Sequence, residues 1–174
     1  MDRLYPERFP TEATLPARLL QQARYTDAWR IPLQQPALSP PALFLAVFGH
    51  RPGWLKGLFQ LRNLLVRPFG LAASSRQQLD AQPDPAHCKV GDTLLGWTLY
   101  HLSEHELVIG RDNPHLDFRV IIRKQARPTG TDALFATLCA PHNTAGRAYL
   151  RAILPFHRPG FRWLLARAVA ADRL

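Results

Sequence analysis

The sequence predicts an α+β fold in which an antiparallel sheet curls around a long C-terminal helix. Three observations carry that expectation. From Gly91 onward, four successive stretches have strand character and are joined by short connections, the pattern of an antiparallel meander. Thr144 to Arg173 then repeats apolar residues at helical spacing. Upstream, an alternating stretch and two helical stretches precede the meander, giving a β-αα-βββ(β)-α order that usually leaves a cavity between sheet and helix.

In chain order, residues 1–24 are punctuated by Pro and Glu and read as a poorly ordered arm or a short helix around Pro16 to Arg24, with residues 25–174 as one domain. Asp27 to Leu33 alternates, with Trp29, Ile31 and Leu33 on one side and Ala28 and Arg30 on the other, and is the expected first strand. Ser39-Pro40-Pro41 starts a helix, because serine can cap and proline is tolerated at the first helical position. Leu43, Phe44, Val47 and Phe48 follow at helical spacing. A second helix is expected from Trp54 to Val66, closed by Pro68 and Gly70. Residues 72–86 lack periodicity and read as a loop.

The expected meander strands are Thr93 to Leu102, Glu106 to Gly110, His115 to Lys124 and Thr131 to Ala140. Asn143 or Thr144 can cap the terminal helix, whose stripe is expected at Ala145, Tyr149, Ala152, Ile153 and Phe156, then Leu164, Leu165, Ala168 and Val169. Pro155 and Pro159-Gly160 should kink or break it, since each proline deletes a backbone donor.

Composition is that of an ordinary globular chain: 174 residues, 47% hydrophobic and 20% charged. Its apolar runs are too short to span a bilayer, and the N-terminus has no signal-peptide stretch. A cytoplasmic, bacterial-type setting is the simplest expectation. The net charge of +9 raises nucleic-acid binding. However, the charge is mostly scattered arginine, without a basic block or an aromatic-interleaved patch, which disfavours it.

Candidate site residues begin with His115, Asp117 and Arg119, which alternate with Leu116, Phe118, Val120 and Ile122. If the apolar set faces the core, the polar trio lies on the convex, solvated face, where an Asp–Arg pair is worth a few tenths to about 1 kcal/mol. If the strand twists or faces the other way, the trio lines a cavity mouth. His157 and Tyr149, eight residues apart on one side of the terminal helix, are candidate polar groups inside the cavity; His157 could act as an acid or base near neutral pH. Trp54, Phe48, Phe59 and Trp97 could wall a pocket, and Arg62 could meet an acidic ligand group. No metal is expected: His50, His115, His142 and His157 lack zinc-ligand spacing, and Cys88 and Cys139 lack close partners. No glycine-rich phosphate loop or activated-serine motif is present, and no cofactor is expected.

The segments Tyr25-Thr26-Asp27-Ala28-Trp29, Pro52-Gly53-Trp54, Leu61-Arg62-Asn63, Phe69-Gly70-Leu71, Val90-Gly91-Asp92, His115-Leu116-Asp117-Phe118-Arg119, Gly146-Arg147-Ala148-Tyr149 and Pro155-Phe156-His157-Arg158, in this order, resemble the bacterial domain of unknown function 2867 family. The resemblance runs from about Tyr25 to Val169. It implies a helix-grip fold similar to the Bet v 1, START and polyketide-cyclase superfamily, whose members bind apolar ligands or catalyse cyclisations and dehydrations in the cavity. Similar chains also occur fused behind a dehydrogenase-like domain.

Together these readings lead to an expected small hydrophobic or amphipathic ligand, with an anionic group meeting Arg119 or Arg62. The alternatives are a cofactor-independent cyclase or dehydratase using His157 or Asp117 as acid or base, and a protein-interaction module. A homodimer or a dehydrogenase-like partner are the expected protein partners.

Overall fold

The computed structural model describes residues 4–50 and 84–174. The second expected helix (Trp54 to Val66), with Trp54, Phe59 and Arg62, and most of the expected loop lie outside the described residues. Among the described residues the elements are β1 (Tyr5–Pro6), α1 (Ala17–Gln22), β2 (Tyr25–Pro32), α2 (Pro40–Phe48), β3 (Thr93–Leu94), β4 (Trp97–Leu102), β5 (Glu106–Arg111), β6 (Leu116–Arg127), β7 (Gly130–Pro141) and α3 (Thr144–Ala170). The fold is α+β: seven antiparallel strands in the order β1-β2-β7-β6-β5-β4-β3 form one curled sheet, with the long C-terminal helix packed on it.

The meander follows from local chemistry. Leu95 and Gly96 both have positive φ, 50° and 79°, and make the two-residue turn that joins β3 to β4 with the twist a hairpin requires. This turn divides the single strand expected over Thr93 to Leu102. Gly130, at φ 140°, follows the turn between β6 and β7, the longest pair of the sheet. Gly110 sits where an added Cβ would lie 2.0 Å from the Phe118 carbonyl oxygen, so only glycine permits this approach of β5 and β6.

Alternation assigns the two faces. Ile31, Ile109, Val120, Ile122, Phe135 and Ala133 point to the helix side, where Leu43, Phe44 and Phe48 of α2 and Phe161, Leu165 and Ala168 of α3 complete the main core. Ser39 caps α2 through a 3.4 Å contact from the Ala42 amide, with Pro40 and Pro41 opening the helix as expected.

On the opposite face lies the N-terminal arm, which carries the short helix expected around Pro16 to Arg24 as α1 and is packed rather than poorly ordered. Phe9, Ala13 and Leu15 pack on Ala28, Val108, Ile121, Leu134 and Ala136, and Leu19 of α1 packs on Leu138 and Ala140. Glu106 accepts from the Thr14 amide at 2.9 Å, and Arg123 binds Glu12 at 2.8 Å. The arm is therefore a fitted cover over the sheet, and its β1 and α1 make the expected first strand the second in order.

The helix α3 also differs: it runs as one helix past Pro155 and Pro159. Both prolines are exposed and one turn apart, so the carbonyls they leave without donors face water rather than the core. The buried stripe is Gly146, Leu150, Phe161, Leu165 and Ala168, with His157 between Leu150 and Phe161 in the same phase. Ala152 and Phe156, expected in that stripe, are both exposed, Phe156 to 65%. Asn143 caps the helix by accepting from the Gly146 amide at 2.9 Å. An added Cβ on Gly146 would lie 1.9 Å from the His115 carbonyl oxygen, so glycine lets the helix start against the entry to β6.

Candidate functional site

The site candidate sits where β2 and β7 pass under the middle of α3. Position by position, Tyr25 opposes Cys139, Asp27 opposes Thr137 and Trp29 opposes Phe135. All six face the helix side. This puts a carboxylate and a hydroxyl in a row otherwise made of apolar groups. Tyr25 donates to Asp27 Oδ2 at 2.8 Å. His157 Nε2 is 4.0 Å from the same oxygen, too far for a direct hydrogen bond. The His157 ring stands edge-on to Tyr25 at 5.5 Å and stacks on Phe161 at 5.7 Å.

Four polar atoms in this region are fully buried and lack a hydrogen-bond partner among the described residues: Asp27 Oδ1, Trp29 Nε1, Thr137 Oγ1 and His157 Nε2. Burial of such a group without a partner costs about 1–3 kcal/mol, and native structures carry few of them. Four on neighbouring positions of one face is a concentration that packing alone does not require.

The electrostatics follow from burial. Desolvation pushes the Tyr25 hydroxyl well above its ordinary range, and the adjacent Asp27 carboxylate pushes it the same way. Tyr25 thus stays a proton donor to Asp27. Burial and Asp27 together push the Cys139 thiol up to about 12, which makes it an inert core thiol rather than a nucleophile. His157 is pushed down by burial, opposed by Asp27 and assisted by the Arg158 guanidinium, and is neutral at pH 7. Arg158 and Arg162 reach over the Tyr25 and Trp29 rings, at 5.3 and 5.8 Å to the centroids.

Of the residues singled out from sequence, His157 lies in this cluster. Tyr149 is half-buried against Tyr25, Leu116, Cys139 and Leu150, on the same side of the sheet. Trp97 packs at 5.2 Å from Phe48 and 5.1 Å from Phe118 and continues the aromatic wall. Asp117 and Arg119 face the other way, as the alternation favours, but that face is not solvated: they are 3% and 2% exposed. The cause is physical: the loop before β6 and Tyr100 close over them. Arg119 donates to the Arg111 and Phe118 carbonyls, pairs with Asp112 rather than with Asp117, and lies 3.6 Å over the Tyr100 ring. Asp117 accepts from the Asn113 amide and pairs with His142 at 3.0 Å. His115 leads into β6 and meets Asn143 at 2.9 Å. These three residues tie the β6 entry to the helix cap and the Asp112 loop.

Asp27, Thr137 and Tyr25 were not among the sequence candidates. The signal was present for Asp27, which shares the phase of Trp29 and Ile31 and so places a carboxylate on the core face of its strand. Elsewhere, an open groove of about 340 Å³ between α2 and the C-terminus is lined by Gln35, Leu38, His50 and Arg173 among others, and includes none of the expected ligand-binding residues. Among the described residues no three His, Cys, Asp or Glu side chains converge as a metal site needs.

The family model described as "Protein of unknown function (DUF2867)" matches residues 19–163, a span that includes β2, the meander and most of α3. The chain belongs to the DUF2867 family. No curated protein and no solved structure matches it. The DUF2867 match encloses Tyr25, Asp27, Thr137 and His157, together with the Asp117 and Arg119 network.

Proposed function

We propose that this DUF2867 protein binds a small amphipathic molecule between the sheet and α3, its polar end meeting Asp27 and His157 and its apolar part lying along the aromatic wall. The observation that carries the reading is the set of four buried, partnerless polar atoms, Asp27 Oδ1, Trp29 Nε1, Thr137 Oγ1 and His157 Nε2, on one side of the sheet. The gap of 4.0 Å between His157 and Asp27 suits a ligand hydroxyl or amide that bonds both. A sheet curled against one long terminal helix is also the arrangement of the helix-grip fold, which supports this reading. The test is native mass spectrometry of protein purified from its own host. A co-purifying small molecule is expected, retained by the wild type and lost from Asp27→Ala. A wild-type protein at its bare mass, with the core closed around these atoms in an experimental structure, would end the reading.

A second reading, a cofactor-independent enzyme of dehydratase or cyclase type, is favoured by one observation. A neutral His157 near the Asp27 carboxylate is a base whose protonated form the carboxylate would stabilise. It rests on His157 with Asp27, since Asp117 lies on the opposite face with His142. Turnover of the co-purified molecule, abolished in His157→Phe while binding persists, would favour the enzyme over the carrier.

A further inference from the structure

The outward side of α3 has a chemistry that neither the core nor the candidate site explains. At 3.6 residues per turn, Ala148, Ala152, Phe156, Pro159, Trp163 and Ala170 fall on one strip opposite the buried stripe, and all six are exposed. Phe156 is 65% and Trp163 38% exposed, two of the few large apolar side chains left in water. Along one flank of that strip Arg151 is exposed, with Arg147 beyond it and Arg158 and Arg162 turned further round towards the Tyr25 and Trp29 rings, and Arg167 lies on the other flank over the Trp163 ring at 5.4 Å. The helix contains no Asp or Glu. A solvent-facing helix side normally carries mixed charges; this one is apolar along its crest and purely cationic at its edges.

We propose that the outer face of α3 docks the protein on an anionic lipid surface, the Phe156–Trp163 crest entering the headgroup boundary and the arginines meeting lipid phosphates. The pattern is that of a helix lying in the interface plane: an apolar crest with an aromatic anchor, arginines at the borders, and stems long enough to keep the guanidinium groups at headgroup level. Charge decides between occupants. A second copy of this chain would bring together two molecules of net charge +9. A nucleic acid would set its phosphates against a crest of Ala, Pro, Phe and Trp that offers no side-chain donor except the Trp163 indole. An anionic bilayer is complementary to both parts of the face. No described helix is long and apolar enough to cross a membrane, so the association is peripheral.

Vesicle co-sedimentation tests it. The protein should pellet with vesicles of phosphatidylcholine mixed with phosphatidylglycerol, and far less with phosphatidylcholine alone. Raising salt from about 0.1 M to about 1 M, which shortens the screening length from about 10 Å to about 3 Å, should weaken the binding. Arg151→Ala should lower the partition coefficient about fivefold and Phe156→Ala about tenfold. Both sites are exposed, and unchanged melting curves would show that the variants fold. Wild-type fluorescence should shift to the blue on binding, and Trp163→Phe should remove most of that shift. Equal binding to neutral vesicles, wild-type behaviour of both variants, or binding to duplex DNA or an acidic protein without binding to vesicles would each overturn the proposal.

Discussion

Replacing Thr137 with valine should make this protein more stable, which is unusual for a change at a residue only 1% exposed. Thr137 opposes Asp27 on β2 and Val120 on β6, and its hydroxyl is buried without a partner among the described residues. Valine fills nearly the same shape without an oxygen to desolvate. Relief of a penalty of about 1–3 kcal/mol for an unsatisfied group, less some loss in repacking, leaves a gain of about 1 kcal/mol. For a chain of this size that is a rise of about 2–4 °C in Tm. Thr137→Ala is the control, because it lacks both methyl groups that valine places there and should lose about 2 kcal/mol relative to valine. Thermal unfolding followed by circular dichroism on ligand-free protein measures both. If binding at this site uses the hydroxyl, the valine variant should also lose the co-purifying molecule. A Tm below wild type for Thr137→Val would refute the reasoning, since it would mean that the hydroxyl has a partner the protein depends on.

The other predictions concern the two faces of the sheet. Arg119→Ala should cost about 3 kcal/mol, because it strips a buried guanidinium from Asp112, the Arg111 and Phe118 carbonyls and the Tyr100 ring; urea unfolding reads the loss, and native mass spectrometry should find the ligand still bound to the folded fraction. His157 sets a pH dependence. Its folded pKa lies below the ordinary 6.5 because burial disfavours the charged ring, so the unfolded chain takes up the proton first. The contribution is complete above about pH 6.5 and is lost as the pH falls through the folded value. Urea midpoints at falling pH should therefore decline more for the wild type than for His157→Phe; parallel declines would show that the histidine is not buried neutral.

Much of the architecture was legible because alternation and helical spacing report burial directly. Ile31, Val120, Ile122 and Phe135 occupy the helix-facing side that their phase predicts. His157 could be placed inside from its spacing to Tyr149, eight residues earlier, although the buried phase it shares is that of Leu150 and Phe161. The register of α3 was less legible, since Pro155 and Pro159 suggested a break that exposure renders harmless. The arm was illegible by periodicity: Phe9, Ala13 and Leu15 pack on the sheet from a chain with no repeat. The burial of Asp117 and Arg119 was illegible for a different reason, since the Asp112–Asn113 loop and Tyr100 that bury them meet the strand only in three dimensions. The pairing of Asp27 with Thr137 needed the β2–β7 register, a contact between distant parts of the chain that no local pattern encodes.

That register has a consequence for how the protein is made. β2 emerges from the ribosome early, with Trp29 and Ile31 ready for a core, yet its long partner is β7, the last strand of the sheet: Tyr25 waits for Cys139 and Pro32 for Asp132. During synthesis the meander from β3 to β7 can pair with itself by local hairpins, whereas β2 has only the two-residue β1 to pair with until β7 is complete, and the arm has no finished surface to cover before then. Closing so long a loop is slow, and an unpaired apolar strand is open to wrong partners in the interval. The halves of the candidate site, Asp27 and Thr137, therefore meet only in a late long-range step of folding, so a chain cut short before β7 would carry Tyr25, Asp27 and Trp29 without the strand they are set against.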